Sequence, residues 1–141
     1  MNLTRMLPPG PAMTISIGCG SGLFEAVLIQ YCPRLHLRAI EVSHEIIRYL
    51  SEQAVDLVKG TWDLYPLAGS AAAWIFVYPR EASLMDRYRK TFEDGDVGLV
   101  IWIGPRVDLQ DYGNIFEDPW VKYVHEECGL SPYETMVSWR R

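Results

Sequence analysis

The glycine-rich stretch at residues 16–28, SIGCGSGLFEAVL, constrains this chain more than any other part of its sequence. A short apolar run ends at Gly18, two more glycines follow closely, and a helical pattern of apolar residues begins directly after them. Glycine loses more conformational freedom on folding than any other residue, so such a cluster needs a structural reason. Gly18 allows a tight turn, while Gly20 and Gly22 allow a ligand to approach the backbone. The pattern predicts a strand, a loop and a helix whose N-terminus faces an anionic group.

Strand and helix patterns alternate along most of the chain. The predicted strands are MTISIG, LHLRAIEV, VDLVKG, AAAWIFVYP and VGLVIWIGP, and the predicted helices are GLFEAVLIQYC, SHEIIRYLSEQ (capped by Ser43) and REASLMDRYRKTFE. This alternation predicts a Rossmann-like α/β fold with a doubly wound, mostly parallel sheet between two helical layers. DPWVKYVHEECGL and SPYETMVSWRR read as two further strands, so we expect a C-terminal antiparallel hairpin.

Length and composition narrow the class of protein. The 141 residues contain no repeat or compositional break, which predicts a single domain over 1–141 with an irregular lead-in at 1–13. The net charge of -5 disfavours a nucleic-acid partner, and no apolar run approaches the roughly 18 residues of a membrane span. The start lacks the apolar core of a secretory signal. Cys19, Cys32 and Cys128 form no CxxC pair, so we expect reduced thiols and a cytoplasmic location. The scattered histidines predict no metal site.

An acidic motif follows the glycine cluster at the spacing expected for one intervening helix. The second predicted strand ends at Glu41, about twenty residues beyond the glycines, where a carboxylate can accept hydrogen bonds from both hydroxyls of a ribose. Together the two motifs predict a nucleoside-binding cleft. A dinucleotide site prefers the spacing G-x-G-x-x-G, whereas here Leu23 stands in place of its third glycine. This difference argues against a nicotinamide cofactor.

Four segments resemble motifs of the class I S-adenosylmethionine-dependent methyltransferases. SIGCGSG resembles the first motif of that family and AIEVS its acidic second motif, while VKGTWD and IFVYPR fall where the family has its third loop and its fourth-strand motif. The resemblance implies S-adenosylmethionine as the cofactor. It assigns Gly18, Cys19, Gly20 and Gly22 to the methionine part, Glu41 to the ribose, and Val42, Thr61 and Trp62 to the adenine.

By the same resemblance, the expected activity is methyl transfer to a small organic molecule. Tyr78, after the fourth strand, is the candidate catalytic residue, although it could instead cap a buried strand. Trp62 either stacks on adenine or packs in the core, and Arg80 either pairs with an acidic substrate or is a solvated helix residue. The alternative is a protein that shares the fold without methylating, either binding the cofactor as a regulatory or partner subunit or using the cleft for another reaction.

The short lead-in predicts an open cleft, because the family covers its cofactor with a helix before the first strand. We therefore predict a homodimer in which a second subunit encloses the substrate. Its expected contact is the hairpin face with Tyr133, Val137 and Trp139, since aromatic residues are enriched in interface cores. The alternative is that these side chains pack within their own domain.

Overall fold

The computed structural model describes residues 3–126 and 129–141. In this part of the chain, one seven-stranded sheet has the order β3-β2-β1-β4-β5-β7-β6. Its strands are β1 (Met13–Ile17), β2 (His36–Glu41), β3 (Val55–Leu57), β4 (Ala73–Val77), β5 (Leu99–Pro105), β6 (Val121–His125) and β7 (Glu134–Arg140). The α-helices are α1 (Leu3–Met6), α2 (Leu23–Tyr31), α3 (Ala82–Thr91) and α4 (Leu109–Tyr112). The predicted fold class is confirmed.

The strand order creates a crevice beside β1. From β1 the chain runs outward through β2 and β3, then returns to place β4 on the other side of β1, with all of these pairings parallel. At the carboxyl end of the register, Ile17 lies opposite Ile40 on one side and Phe76 on the other. Such a reversal of strand order is where open α/β sheets bind ligands.

The C-terminal hairpin is present, but its β7 strand is interior. β7 pairs antiparallel with both β5 and β6, so neither of its edges is open, and its side chains pack into the apolar clusters on both faces of the sheet. Val137 and Trp139 are fully buried, and the ring centroids of Trp139 and Phe116 lie 5.1 Å apart. The predicted dimer contact through these two residues is therefore wrong, although Tyr133 is 73% exposed. Residues 127 and 128 of the predicted hairpin lie outside the described part of the chain.

Two apolar clusters cover opposite faces of the sheet. One cluster contains a set of aromatic rings. The ring centroid of Trp74 lies 6.4 Å from that of Phe76 and 5.7 Å from that of Tyr88, both in edge-to-face geometry. Each such pair contributes about 0.5–1.5 kcal/mol beyond burial of apolar area. The other cluster joins Leu3 and Leu28 to the opposite face of the central strands. The predicted layering of the sheet between flanking elements follows from these two cores.

Two predictions about local structure are wrong. The segment SHEIIRYLSEQ forms two short 3₁₀ turns, His44–Ile46 and Glu52–Ala54, instead of an α-helix. The Ser43 cap is present, since its hydroxyl accepts from the amide of Glu45 at 3.1 Å. However, the amides of Arg48 and Tyr49 bond to the carbonyl of Ser21, which draws this segment onto the glycine loop.

The lead-in is also more ordered than predicted. Residues Leu3–Met6 form one helical turn, and Leu3 is completely buried. The lead-in is therefore not irregular throughout, because its first turn contributes to the core beneath α2. Residues 1 and 2 lie outside the described part of the chain.

The burial of β7 generates a stability prediction. Trp139→Glu should unfold the protein, because removing a buried tryptophan costs about 3–5 kcal/mol and leaves a carboxylate in an apolar core. Urea denaturation followed by circular dichroism measures the effect. Tyr133→Glu is the matched control on the same segment, and its exposed position should limit the change to about 0.5 kcal/mol. A folded Trp139→Glu protein with near-native stability would contradict this packing.

Candidate functional site

A cavity of about 580 Å³ lies at the carboxyl ends of β1, β2 and β4. Its volume is in the usual range of small-molecule sites, which is roughly 300–1,000 Å³. The lining residues come from the glycine loop, the ends of β2 and β4, the loop after β3, and the helices α2 and α3. Among the residues predicted to form the site, those that line the cavity are Gly18, Cys19, Gly20, Glu41, Val42, Thr61 and Tyr78.

Glycine is required at the three loop positions for different local reasons. Gly18 and Gly20 have φ values of 73° and 58°, and a β-carbon at either position would have no neighbour within 4 Å. They therefore leave open space at the cavity wall. Gly22, with a φ of 84°, does not line the cavity, and a β-carbon there would lie 2.9 Å from the side chain of Leu50. Its role toward the cofactor remains a prediction, and the structure adds a packing reason for this glycine.

Glu41 connects the glycine loop to the end of β2. One carboxylate oxygen accepts a hydrogen bond from the amide of Gly20 at 2.8 Å, and the other accepts from the amide of Val42 at 2.8 Å. Each carboxylate oxygen has two lone pairs, so both oxygens can still accept a ligand hydroxyl. Glu41 thus shapes the loop and also presents acceptor positions to the cavity.

The loop after β3 places Thr61 and Trp62 differently. Thr61 lines the cavity together with Asp63, whose carboxylate accepts from the amide of Lys59 at 3.0 Å. Trp62 is 65% exposed and lies over Gly60, where a β-carbon would be 2.0 Å from the indole ring. The alternative that Trp62 packs in the core is therefore wrong. Its adenine contact remains a prediction, since the ring is outside the cavity wall.

Tyr78 lies at the cavity wall with its hydroxyl engaged. The phenol donates a hydrogen bond to the carboxylate of Glu134, and this bond, with burial, raises the pKa of Tyr78 to about 12. The phenol is therefore protonated at neutral pH and its proton is already committed. A general base needs a pKa near the working pH, so this geometry does not favour Tyr78 as one.

Glu25 is the site residue that the sequence did not reveal. Its side chain is 1% exposed and lines the cavity, and one carboxylate oxygen accepts from the hydroxyl of Ser16 at 2.6 Å. The other oxygen is buried without a hydrogen-bond partner among the described residues. Burial raises the pKa of Glu25, with the charge of Glu41 adding to the effect. A glutamate in the first turn of a helix usually complements the helix dipole in water, so no feature of the sequence indicates that Glu25 is buried.

The charges around the cavity are predominantly acidic. Glu25, Glu41, Asp63 and Glu81 line it, whereas Arg80 is the one basic side chain among the described lining residues. Burial raises the pKa of the Cys19 thiol to about 12, with smaller contributions from two of these carboxylates. Cys19 is therefore a protonated thiol and not an activated nucleophile. The acidic lining favours a ligand that carries positive charge.

Several solved methyltransferase structures share this architecture. A precorrin-6y C5,15-methyltransferase from Geobacter metallireducens GS-15 superposes with a TM-score of 0.70 at 11% identity, covering 99% of this chain and 86% of that one. The chain has the class I methyltransferase fold. The plantazolicin methyltransferase BpumL, solved with SAH and a substrate analogue, gives a TM-score of 0.67 at 10% identity, covering 99% of this chain and 79% of the other. The S-adenosylmethionine-dependent methyltransferase SibL gives 0.64 at 12% identity, covering 92% and 50%.

Neither the protein-family models nor the curated protein sequences give a match. In residues 3–126 and 129–141, no helix has the length and apolar character needed to cross a membrane. The same residues contain no cluster of three or more side chains suited to hold a metal ion.

The burial of Glu25 generates a pH prediction. A carboxyl whose pKa is higher when folded contributes stability that is full below its unfolded pKa, about 4.3, and lost as the pH rises through the folded value. The Glu25→Gln variant stays neutral, so its stability relative to wild type should be greater at about pH 8 than at about pH 4.

Urea unfolding at the two pH values measures this difference. Glu93→Gln is the matched control, because Glu93 is exposed and its side chain makes no hydrogen bond in the described structure. The control should show no such trend. A Glu25→Gln effect that is the same at both pH values would show that the buried carboxyl does not titrate differently in the folded chain.

Proposed function

We propose that this protein binds S-adenosylmethionine in the cavity and transfers its methyl group to a small organic molecule. The observation that carries the proposal is the position of Glu41 and the open glycine loop, at the crevice where strand order reverses. When bound, S-adenosylmethionine supplies an electrophilic methyl group on a sulfonium centre. The remaining argument concerns what the side chains of this chain do around such a ligand.

The hydrogen-bond acceptors of the cavity suit the polar groups of this cofactor. The two oxygens of Glu41 offer acceptor positions for the ribose hydroxyls, and the unpartnered oxygen of Glu25 offers one for the ammonium of the methionine part. Gly18 and Gly20 leave the space that the methionine part needs. Val42 and Thr61 line the part of the cavity where we place the adenine.

The acidic lining supports a cationic ligand and a particular class of acceptor. A sulfonium adds positive charge to the cavity, and the carboxylates of Glu25 and Glu41 favour that charge. The acidic surface disfavours a nucleic acid as acceptor. Precorrin-6y and plantazolicin methyltransferases share the fold, which supports a small organic acceptor here.

Catalysis would rest on positioning. Tyr78 and Cys19 both hold their protons at neutral pH, so neither supplies a base. Alignment of an acceptor with the reacting methyl can contribute about 7–11 kcal/mol when it is near ideal. The cavity therefore suits an acceptor atom that is nucleophilic without the help of a protein base. A protein that binds the cofactor without methylating is the second candidate, supported by the absence of a base at Tyr78 and Cys19.

Calorimetric titration with S-adenosylhomocysteine (SAH), the demethylated product, and with S-adenosylmethionine tests the binding step. Glu41→Ala should weaken both affinities by about 1.5–3 kcal/mol, roughly ten- to a hundredfold, because charge-assisted hydrogen bonds to the ribose are lost. It should also lower stability, since the amides of Gly20 and Val42 lose their acceptor.

The matched control is Glu45→Ala, which removes an exposed carboxylate four residues away and should leave both affinities unchanged. Absence of binding to the wild-type protein would contradict the proposal. Tight binding of both ligands without methyl transfer to a broad panel of small acceptors would favour the non-methylating candidate.

A further inference from the structure

Tyr78 has the one left-handed backbone conformation of any non-glycine residue in the described chain, with a φ of 49°. A β-carbon is disfavoured in this region, and a residue that precedes proline, as Tyr78 precedes Pro79, is normally extended. Such strain persists only where the surroundings enforce it, and it is concentrated at ligand-binding sites. The strained residue therefore points to a function for its position beside the cavity.

Three hydrogen bonds hold this turn in place. The amide of Tyr78 donates to the carbonyl of Ile103 at 2.7 Å, and its phenol donates to the carboxylate of Glu134. The carbonyl of Pro79 accepts from the phenol of Tyr112 at 2.9 Å. Tyr112 is buried and stacks on Trp102 with ring centroids 5.0 Å apart, so the strained turn is anchored to the core.

Glu134 is itself fixed, which makes the Tyr78 ring rigid. Its second carboxylate oxygen accepts from the hydroxyl of Ser131 at 2.7 Å and from the amide of Ser131 at 3.3 Å. Despite these restraints, Tyr78 is 46% exposed and lines the cavity. The fold thus holds an aromatic ring in place and leaves nearly half of it uncovered.

Apolar residues line the cavity together with Tyr78, and the charged residues Arg80 and Glu81 follow it along the chain. Phe24 and Val77 line the same cavity, and Tyr133, which is 73% exposed, lies close enough to help raise the pKa of Tyr78. The carboxylate of Glu134 accepts from Tyr78 and Ser131, and Glu134 is not among the residues that line the cavity. A flat ring is the ligand that such a wall accommodates best, because aromatic faces attract one another beyond the burial of area.

We propose that Tyr78 is the platform on which a planar aromatic methyl acceptor stacks, and that it selects this class of acceptor over saturated molecules of equal size. This inference rests on the proposed function. It assigns Tyr78 a positioning role in place of proton transfer, and it makes the strained turn the device that aims the ring.

The test uses 2-naphthol as the aromatic probe and decahydro-2-naphthol as its saturated counterpart. Their affinities for the wild-type protein saturated with SAH are measured by ligand-observed NMR titration. We expect 2-naphthol to bind about two- to tenfold more tightly, the range that an aromatic pair contributes. Equal affinities, or no binding of 2-naphthol, would overturn the inference.

Two substitutions separate the ring from the backbone turn. Tyr78→Phe keeps the ring and should retain the preference for 2-naphthol. Tyr78→Asn removes the ring but tolerates the left-handed conformation, so it should fold and lose the preference. Tyr123→Asn is the control, because Tyr123 is an exposed tyrosine on β6 that does not line the cavity, and it should change nothing.

SAH titration of every variant distinguishes the ways in which the inference can fail. SAH affinity should be the same in all four proteins. A Tyr78→Asn protein that loses SAH affinity would place the ring against the cofactor and overturn the acceptor role. A wild-type protein that does not bind SAH would contradict the proposed function, and the inference would fall with it.

Discussion

The candidate site depends on the two hydrogen bonds that the carboxylate of Glu41 accepts from the backbone. These bonds come from the amides of Gly20 and Val42 and so fix the glycine loop against the end of β2. The loop in turn accepts from the segment after β2, through the carbonyl of Ser21. The amides of Gly18 and Cys19 also bond to the carbonyl of Ile40 in β2, so without this carboxylate the loop would keep its start and lose its side-chain anchor at Gly20. One side chain therefore serves both local structure and the proposed ribose site, which explains why a structural and a ligand-binding role are not alternatives here.

Beneath that loop, Glu25 and Ser16 form a second polar element that an apolar interior seldom accepts. A buried carboxyl with an oxygen lacking a described partner destabilises the folded chain unless it is protonated or meets a cationic group. Burial raises the pKa of Glu25, which favours its protonated form relative to that of an exposed carboxyl. A ligand ammonium would provide the cationic group. Burying Glu25 destabilises the folded chain, and buried groups with a shifted pKa are concentrated at functional sites. The burial of Glu25 is therefore consistent with a binding site at this position.

The fold was largely predictable because its signals are local and repeated. Apolar runs ending in glycine or proline predicted four of the five parallel strands, and alternation predicted the second strand and the last one. What failed depended on tertiary neighbours. The alternation of β7 cannot reveal that apolar clusters cover both faces of this strand, so the predicted interface at Val137 and Trp139 is wrong. Likewise, the helical pattern after Ser43 is overridden by hydrogen bonds to Ser21.

The positions of Gly18, Gly20 and Glu41 at the cavity could be predicted from the glycine and acidic motifs, whereas that of Glu25 could not, because it depends on burial. NMR chemical-shift mapping with SAH tests the central claim most directly, because it locates the ligand without requiring activity. The account predicts that the amide signals of Gly20 and Val42 shift on titration. The amide signal of Trp139, which is buried in β7 away from the cavity, should not shift. Shifts confined to the hairpin, or no shifts at all with SAH in large excess, would contradict it.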